Sequence, residues 1–296
     1  MIRDSARWAR QLSGPWAPLI NRVQSSVVAR RALQSVVGID HRRTLPAYAS
    51  QPFSTWFARN YRGQGHGRRV ILFADTYLNY HEPAIGIAAV RLIQALGWDV
   101  LLAEGCCQRP RISHGFLRQA KADGGKTMRR LDALPNGPVL VCEPGCASAL
   151  TDDLPDLLDD ASLGQRVRNR VMPVEQWILQ QLEVHNTTLA PVQDQVLLHG
   201  HCHQKALYGT QHIHRILMRA GAAVTEPDSG CCGMAGSFGY EREHYEISQR
   251  IGDRVLFGAI ADRPDALIVA AGFSCRHQIA HFTGRKAVHW LQAISG

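Results

Sequence analysis

Eight cysteines dominate the chemistry open to this chain: Cys106, Cys107, Cys142, Cys146, Cys202, Cys231, Cys232 and Cys275. Two adjacent pairs stand among them, and sequence neighbours make poor disulfide partners because the bond geometry is strained. No secretory signal precedes them: Met1 to Arg10 carries charge with no apolar stretch behind it. Clustered cysteines in such a chain read as metal ligands or redox groups in a reducing, cytoplasmic setting. The fullest set is Cys202, inside His201-Cys202-His203, then Cys231-Cys232-Gly233, then Cys275. Four thiolates suit either a 4Fe–4S cluster or tetrahedral zinc. Gly233 and Gly236 would let backbone amides approach cluster sulfur. The reading without metal, four buried structural cysteines, fits poorly with an adjacent pair followed by glycine.

A second set precedes it: Cys106, Cys107 and Cys146, with Cys142 one loop away from Cys146. Thr76 stands where Cys202 stands in the later set, and Gln108 stands where glycine follows the pair. Cys142 is expected to supply the fourth thiol here; the alternative is a decayed copy that only supports the fold. His201 and His203 flank a candidate ligand and would alternate in direction if the strand before them persists. They are candidates for metal ligation or proton relay, or for local hydrogen bonds. His244 lies three residues from Glu241, on one face of an expected helix, as a proton pair near a substrate or as part of a solvated face.

The elements that must position these residues follow a strand–helix rhythm. Val70 to Ala74, Trp98 to Ala103 and Val139 to Cys142 read as buried parallel strands. Ala84 to Leu96, stopped by Gly97, and Pro173 to Leu182 read as helices. The rhythm restarts with strands Val196 to His199, Ala222 to Thr225 and Ala266 to Ala271, and helices Ile213 to Ala220 and Glu243 to Leu256. Val70–Thr76 aligns with Val196–Cys202, Cys106-Cys107 with Cys231-Cys232, and Cys146 with Cys275, at nearly constant spacing. The fold class is therefore α/β: two similar Rossmann-like lobes with parallel sheets, at 70–190 and 191–296, preceded by a basic, irregular helical arm at 1–69. Parallel sheets gather the C-terminal ends of their strands along one edge, where ligand sites form.

The arm holds twelve Arg and no Lys, against Asp4 and Asp40. The rest of the chain is slightly acidic, so the net charge of +8 belongs to the arm. Val27 to Val37 is helical in pattern, and Gly and Pro breakers surround it. An arm that packs on an acidic partner surface is the favoured reading; nucleic acid is not a partner, because no binding motif accompanies the charge. No apolar run reaches the ~20 residues needed to span a bilayer, so any contact with the inner membrane is peripheral, through partners.

Three stretches resemble a known family: Glu143-Pro-Gly-Cys146, His199-Gly-His-Cys-His-Gln-Lys-Ala206 and Ser229-Gly-Cys-Cys-Gly-Met-Ala-Gly-Ser-Phe-Gly-Tyr-Glu241. They are similar to the cysteine-rich (CCG) domain of heterodisulfide reductases and glycolate oxidase iron–sulfur subunits. They resemble still more the C-terminal third of FAD-linked D-2-hydroxyacid dehydrogenases of the D-lactate and D-2-hydroxyglutarate type. The resemblance implies one or two 4Fe–4S clusters, with Cys202, Cys231, Cys232 and Cys275 as ligands of one and Cys106, Cys107 and Cys146 of the other. The family's Cys-x-x-Cys ending is absent. So are a glycine-rich flavin segment and a Cys-x-x-Cys-x-x-Cys ferredoxin run, so FAD and the ferredoxin-like domain are expected on partners. The expected role is electron transfer from that flavin; a zinc-bound or metal-free structural module is the alternative.

Overall fold

Seven strands form two wholly parallel sheets among the described residues of the computed structural model, which are 4–65 and 67–295. The first sheet holds β1 (Arg69–Ala74), β2 (Asp99–Glu104), β3 (Val139–Val141) and β4 (Val171–Pro173), in the order β2-β1-β3-β4. The second holds β5 (Gln195–His199), β6 (Ala223–Thr225) and β7 (Leu267–Ala270), in the order β6-β5-β7. Each repeat places its first strand between its second and third, so the expected pair of α/β lobes is what forms. β4 is the strand that sequence pattern did not anticipate: three residues ending in proline are too few to display a period.

Strand alternation sorts the side chains into three cores. Val70, Leu72 and Ala74 of β1 face a central core, while Ile71 and Phe73 face an outer one. In β5, Val196 and Leu198 enter the same central core, and Leu197 enters a separate outer core. Helices Pro83–Ala95 and Val174–Val184 of the first lobe and Gln211–Arg219 and Trp290–Ala293 of the second fill that central core with Ile93, Trp177, Ile216 and Trp290 among others. The two lobes thus share one hydrophobic interior, and each keeps a second interior of its own.

The N-terminal stretch is more ordered than its breakers suggest. It forms α1 (Ser5–Leu12), α2 (Ala17–Ser25), α3 (Val27–Val37) and α4 (Phe53–Asn60). Ser26 caps α3 by accepting from Ala29 N at 3.2 Å, and Gly38 ends it at φ 76°, the left-handed conformation that glycine adopts most easily. Phe53 is fully buried in the central core, and Trp56, Phe57 and Tyr61 pack beside it. Its ring lies so close to Gly86 that a Cβ there would come within 2.8 Å. Arg43 is buried too, donating from Nη1 to Gln278 Oε1 and from Nη2 to Ser248 Oγ, each at 2.9 Å. These contacts join the arm to both lobes of its own chain, where a docking segment for a partner was expected. No described helix is long and apolar enough to cross a membrane.

Candidate metal centre

The three strand ends of the second sheet build the site. β5 ends at His199, and after Gly200 the side chain of His201 caps helix Cys202–Leu207, accepting from His203 N at 3.2 Å. β6 runs into the loop that carries Cys231 and Cys232, which turns at Gly233 with φ 95°. β7 leads through Gly272 into helix Phe273–Thr283, whose first turn carries Cys275. The four thiols influence one another in sequence, Cys202 with Cys231, Cys231 with Cys232 and Cys232 with Cys275. Neighbouring thiols lower the pKa of Cys231 and of Cys275, the latter against the opposing effect of its burial, while Cys202 and Cys232 are pushed up by their sulfur neighbours.

All four thiols line one cavity of about 490 Å³, shared with Tyr77, Glu143 and Arg109 of the first lobe and with Leu45 and Tyr48. Among the described residues, the one group of three potential ligand atoms lying within 4.8 Å of one another is His199, Cys232 and Cys275. Cys202 and Cys231 complete the thiols that line the cavity. Thiolates with an imidazole beside them are donors that both zinc and iron–sulfur groups accept.

His201 and His203 sit on a helix start, not on a continuing strand, so they do not alternate as expected; their rings stack at 5.5 Å with 21° between planes. Burial lowers the pKa of His201. Burial, with Arg109 nearby, lowers His203 to about 4, and its Nδ1 lies 3.0 Å from Ser148 Oγ of the first lobe. Both rings are therefore neutral near pH 7 and line the cavity as hydrogen-bonding groups. His244 does not line it. It lies on the short turn Arg242–His244, with Nδ1 2.9 Å from Glu241 Oε2 and its ring stacked 4.0 Å from Phe238.

The first lobe repeats the geometry with substitutions. Gln108 N donates to Cys106 Sγ at 3.4 Å, as Gly233 N donates to Cys231 Sγ at 3.3 Å. Gln108 takes the left-handed conformation too, φ 63°, held by Nε2 donating to Cys106 O and by Oε1 accepting from Arg111. Cys107 and Cys146 are buried with their sulfurs 2.7 Å apart, well beyond the ~2.05 Å of a disulfide. Thr76 begins helix Thr76–Tyr80 as Cys202 begins its helix, and its side chain hydrogen-bonds Cys106 as Cys202 does Cys231. Burial raises the Cys106 thiol to about 12.

Cys142 does not join this set, contrary to expectation. It continues the alternation of Leu140 into the central core, whereas Cys107 and Cys146 belong to the outer core. Its neighbours are Asp75, Glu143 and His289, whose Nε2 lies 3.4 Å from Cys142 O. His199 is the residue that sequence reasoning passed over. Its position, two after Leu197 on β5, places it on the same side as Cys232 and Cys275, and that parity was readable. Two buried contacts bind the lobes beside the site: Phe273 N donates to Glu143 Oε2 at 2.9 Å, and Arg276 pairs with Glu82.

Residues 196–280 match the cysteine-rich (CCG) domain family. The whole chain is 30% identical over 292 residues to the C subunit of anaerobic glycerol-3-phosphate dehydrogenase of Escherichia coli K12, an alignment that covers 96% of this chain and 73% of that one. It is 28% identical over 232 residues to D-2-hydroxyglutarate dehydrogenase of Pantoea ananatis, covering 77% of this chain and 22% of the relative. It is 24% identical over 229 residues to lactate utilization protein A of Bacillus licheniformis, covering 74% and 93% respectively.

Proposed function

The chain belongs to the family of the anaerobic glycerol-3-phosphate dehydrogenase C subunit and carries a cysteine-rich domain; on that premise we propose that it is the electron-transfer subunit of a flavin-dependent dehydrogenase. The observation that carries this reading is the set of four thiols converging on one cavity from three parallel strand ends. Cys202, Cys231, Cys232 and Cys275 would hold a 4Fe–4S cluster, which supplies one-electron carriage when bound. Gly233 N–H, aimed at Cys231 Sγ, would stabilise added negative charge there. Cys106, Cys107 and Cys146, with the Thr76 hydroxyl beside Cys106, would hold a second and less completely ligated group.

The flavin would sit on a partner protein and accept hydride from the substrate. Glycerol 3-phosphate, D-2-hydroxyglutarate and lactate share a secondary alcohol beside an anionic group, so the substrate class is wider than the 2-hydroxy acids expected from sequence. The electrons then enter this chain singly. Neutral His201 and His203 and the buried Glu143, whose carboxyl burial pushes well above its usual range, would leave Arg109, paired with Asp153, as the charged side chain of the cavity wall.

Anaerobic purification followed by iron, sulfide and zinc analysis tests the reading. Brown protein with matching iron and sulfide supports it, whereas colourless protein with stoichiometric zinc overturns it. The close His199, Cys232 and Cys275 triad is what favours that second, zinc-stabilised reading.

A further inference from the structure

His199 is the last residue of β5 and is 1% exposed. Its Nδ1 lies 2.8 Å from Ser229 Oγ, a buried hydroxyl on the loop that goes on to carry Cys231 and Cys232. Its Nε2 is buried and makes no hydrogen bond of acceptable geometry. Leaving a buried polar nitrogen unsatisfied costs ~1–3 kcal/mol, so such an atom in a well-packed interior calls for a partner. Cys232 and Cys275 lie beside this imidazole, one ligand atom of each of the three residues being within 4.8 Å of the others. A ligating imidazole typically gives its other N–H to an oxygen, which fixes its tautomer and orientation. Ser229 stands where that oxygen is needed.

We propose that His199 Nε2 is a direct nitrogen ligand of the metal centre in the second lobe, oriented by Nδ1–H donating to Ser229 Oγ. This rests on the metal-centre reading of the cavity, but it makes a claim about the donor set, whichever metal is present. It also accounts for the unequal repeats. Phe73 occupies the equivalent strand position in the first lobe and enters the outer core with Cys107 and Cys146, so that site has no nitrogen to offer. An imidazole beside the four thiols would make the two centres chemically unlike, so they would differ in potential.

The test uses the full chain, purified without oxygen after growth on ¹⁵N-histidine. In reduced wild type, pulsed paramagnetic resonance should show a nitrogen coupling of the size that direct iron ligation gives. His199→Cys should abolish that coupling, keep the iron and shift the potential downward. His199→Gln should lose iron from the second centre. A wild-type spectrum with only weak, remote nitrogen couplings overturns the proposal, and needs no variant to fold. If the metal is zinc, the electron-transfer reading fails. X-ray absorption at the zinc edge then decides the ligand: a mixed nitrogen and sulfur shell supports His199, and a pure sulfur shell rejects it. Protein that binds neither metal overturns both.

Discussion

Gly233→Ala is the sharpest perturbation of the second site, because two separate costs meet at one methyl group. The backbone stands at φ 95°, where a residue with a Cβ pays about 1–2 kcal/mol relative to glycine. The new Cβ would also lie 2.2 Å from the backbone oxygen of Ser248 and 3.0 Å from Gln278 Nε2. Ser248 belongs to helix Tyr245–Asp253, so no side-chain rotation relieves the contact and either the helix or the turn must move. Overpacking of this kind adds about 1–3 kcal/mol. The sum, about 2–5 kcal/mol, is a large fraction of the 5–15 kcal/mol that typically holds a domain together. Movement of the turn also withdraws the Gly233 N–H from Cys231 Sγ. Gly236→Ala grades the argument: it meets nothing within 4 Å and has only its φ of 68° to oppose it, so about 1–2 kcal/mol is expected. Gln108→Gly in the first lobe should be near neutral, since relief of its left-handed backbone offsets the loss of its bonds to Cys106 O and Arg111. Anaerobic urea unfolding with iron analysis should therefore rank Gly233→Ala as most damaging, then Gly236→Ala, with Gln108→Gly close to wild type. A Gly233→Ala protein with wild-type midpoint and full iron would refute the claim that this turn is pinned against Ser248.

Phe53→Ala removes a fully buried ring from the core that both lobes share, and should cost about 3–5 kcal/mol; an unchanged thermal midpoint would mean that α4 detaches freely. Cys232→Ser should remove more iron and more stability than Cys107→Ser, because metal affinity and folding are linked and the second site has the fuller donor set; equal losses would make the copies equivalent. Burial, with Arg43 nearby, lowers the pKa of His281 to about 4, below the ordinary ~6.5 of an unfolded histidine. As pH falls through that window the unfolded chain takes the proton first, so stability should decline from about pH 6.5 to about pH 4 and then level off. His281→Gln should flatten that slope in chemical unfolding measured at each pH, and an unchanged slope would place the titration elsewhere.

The cysteine framework was legible because duplication printed it twice: nearly one spacing separates Val70 from Val196, Cys106 from Cys231 and Cys146 from Cys275, and each pair lands on equivalent elements. The helix Val27–Val37 was legible from its pattern and from the breakers around it, with Gly38 as its stop. What escaped depended on direction, not on position. Cys142 and Cys146 look interchangeable along the chain, yet one follows β3 into the central core and the other enters the first turn of a helix. His199 was overshadowed by the two histidines that flank Cys202, although only its strand parity points at the sulfurs. The arm's packing on its own chain was not legible, because charge is visible in composition while burial of Arg43 against Gln278 and Ser248 joins residues more than 200 apart.

The two lobes share a backbone solution and differ in what fills it. Each has the turn whose amide donates to the first sulfur of the adjacent pair, and each closes the second sulfur against a cysteine from the third strand end. The glycine before each pair serves a different need, however. Gly105 is a matter of space: a Cβ there would come 2.8 Å from the Phe73 ring. Gly230 meets nothing within 4 Å and is needed for its φ of 57°. In the first lobe the bulk of Phe73 thus claims both the position of the histidine and the room beside the cysteine pair. Exchanging Phe73 for His alone would leave that room unfilled against Gly105 and would still present Thr76 in place of a thiol. The asymmetry lies at two positions, Phe73 against His199 and Thr76 against Cys202, while glycine precedes the cysteine pair in both lobes, so converting the first site to the donor set of the second takes both exchanges and a repacking of the outer core around Phe73.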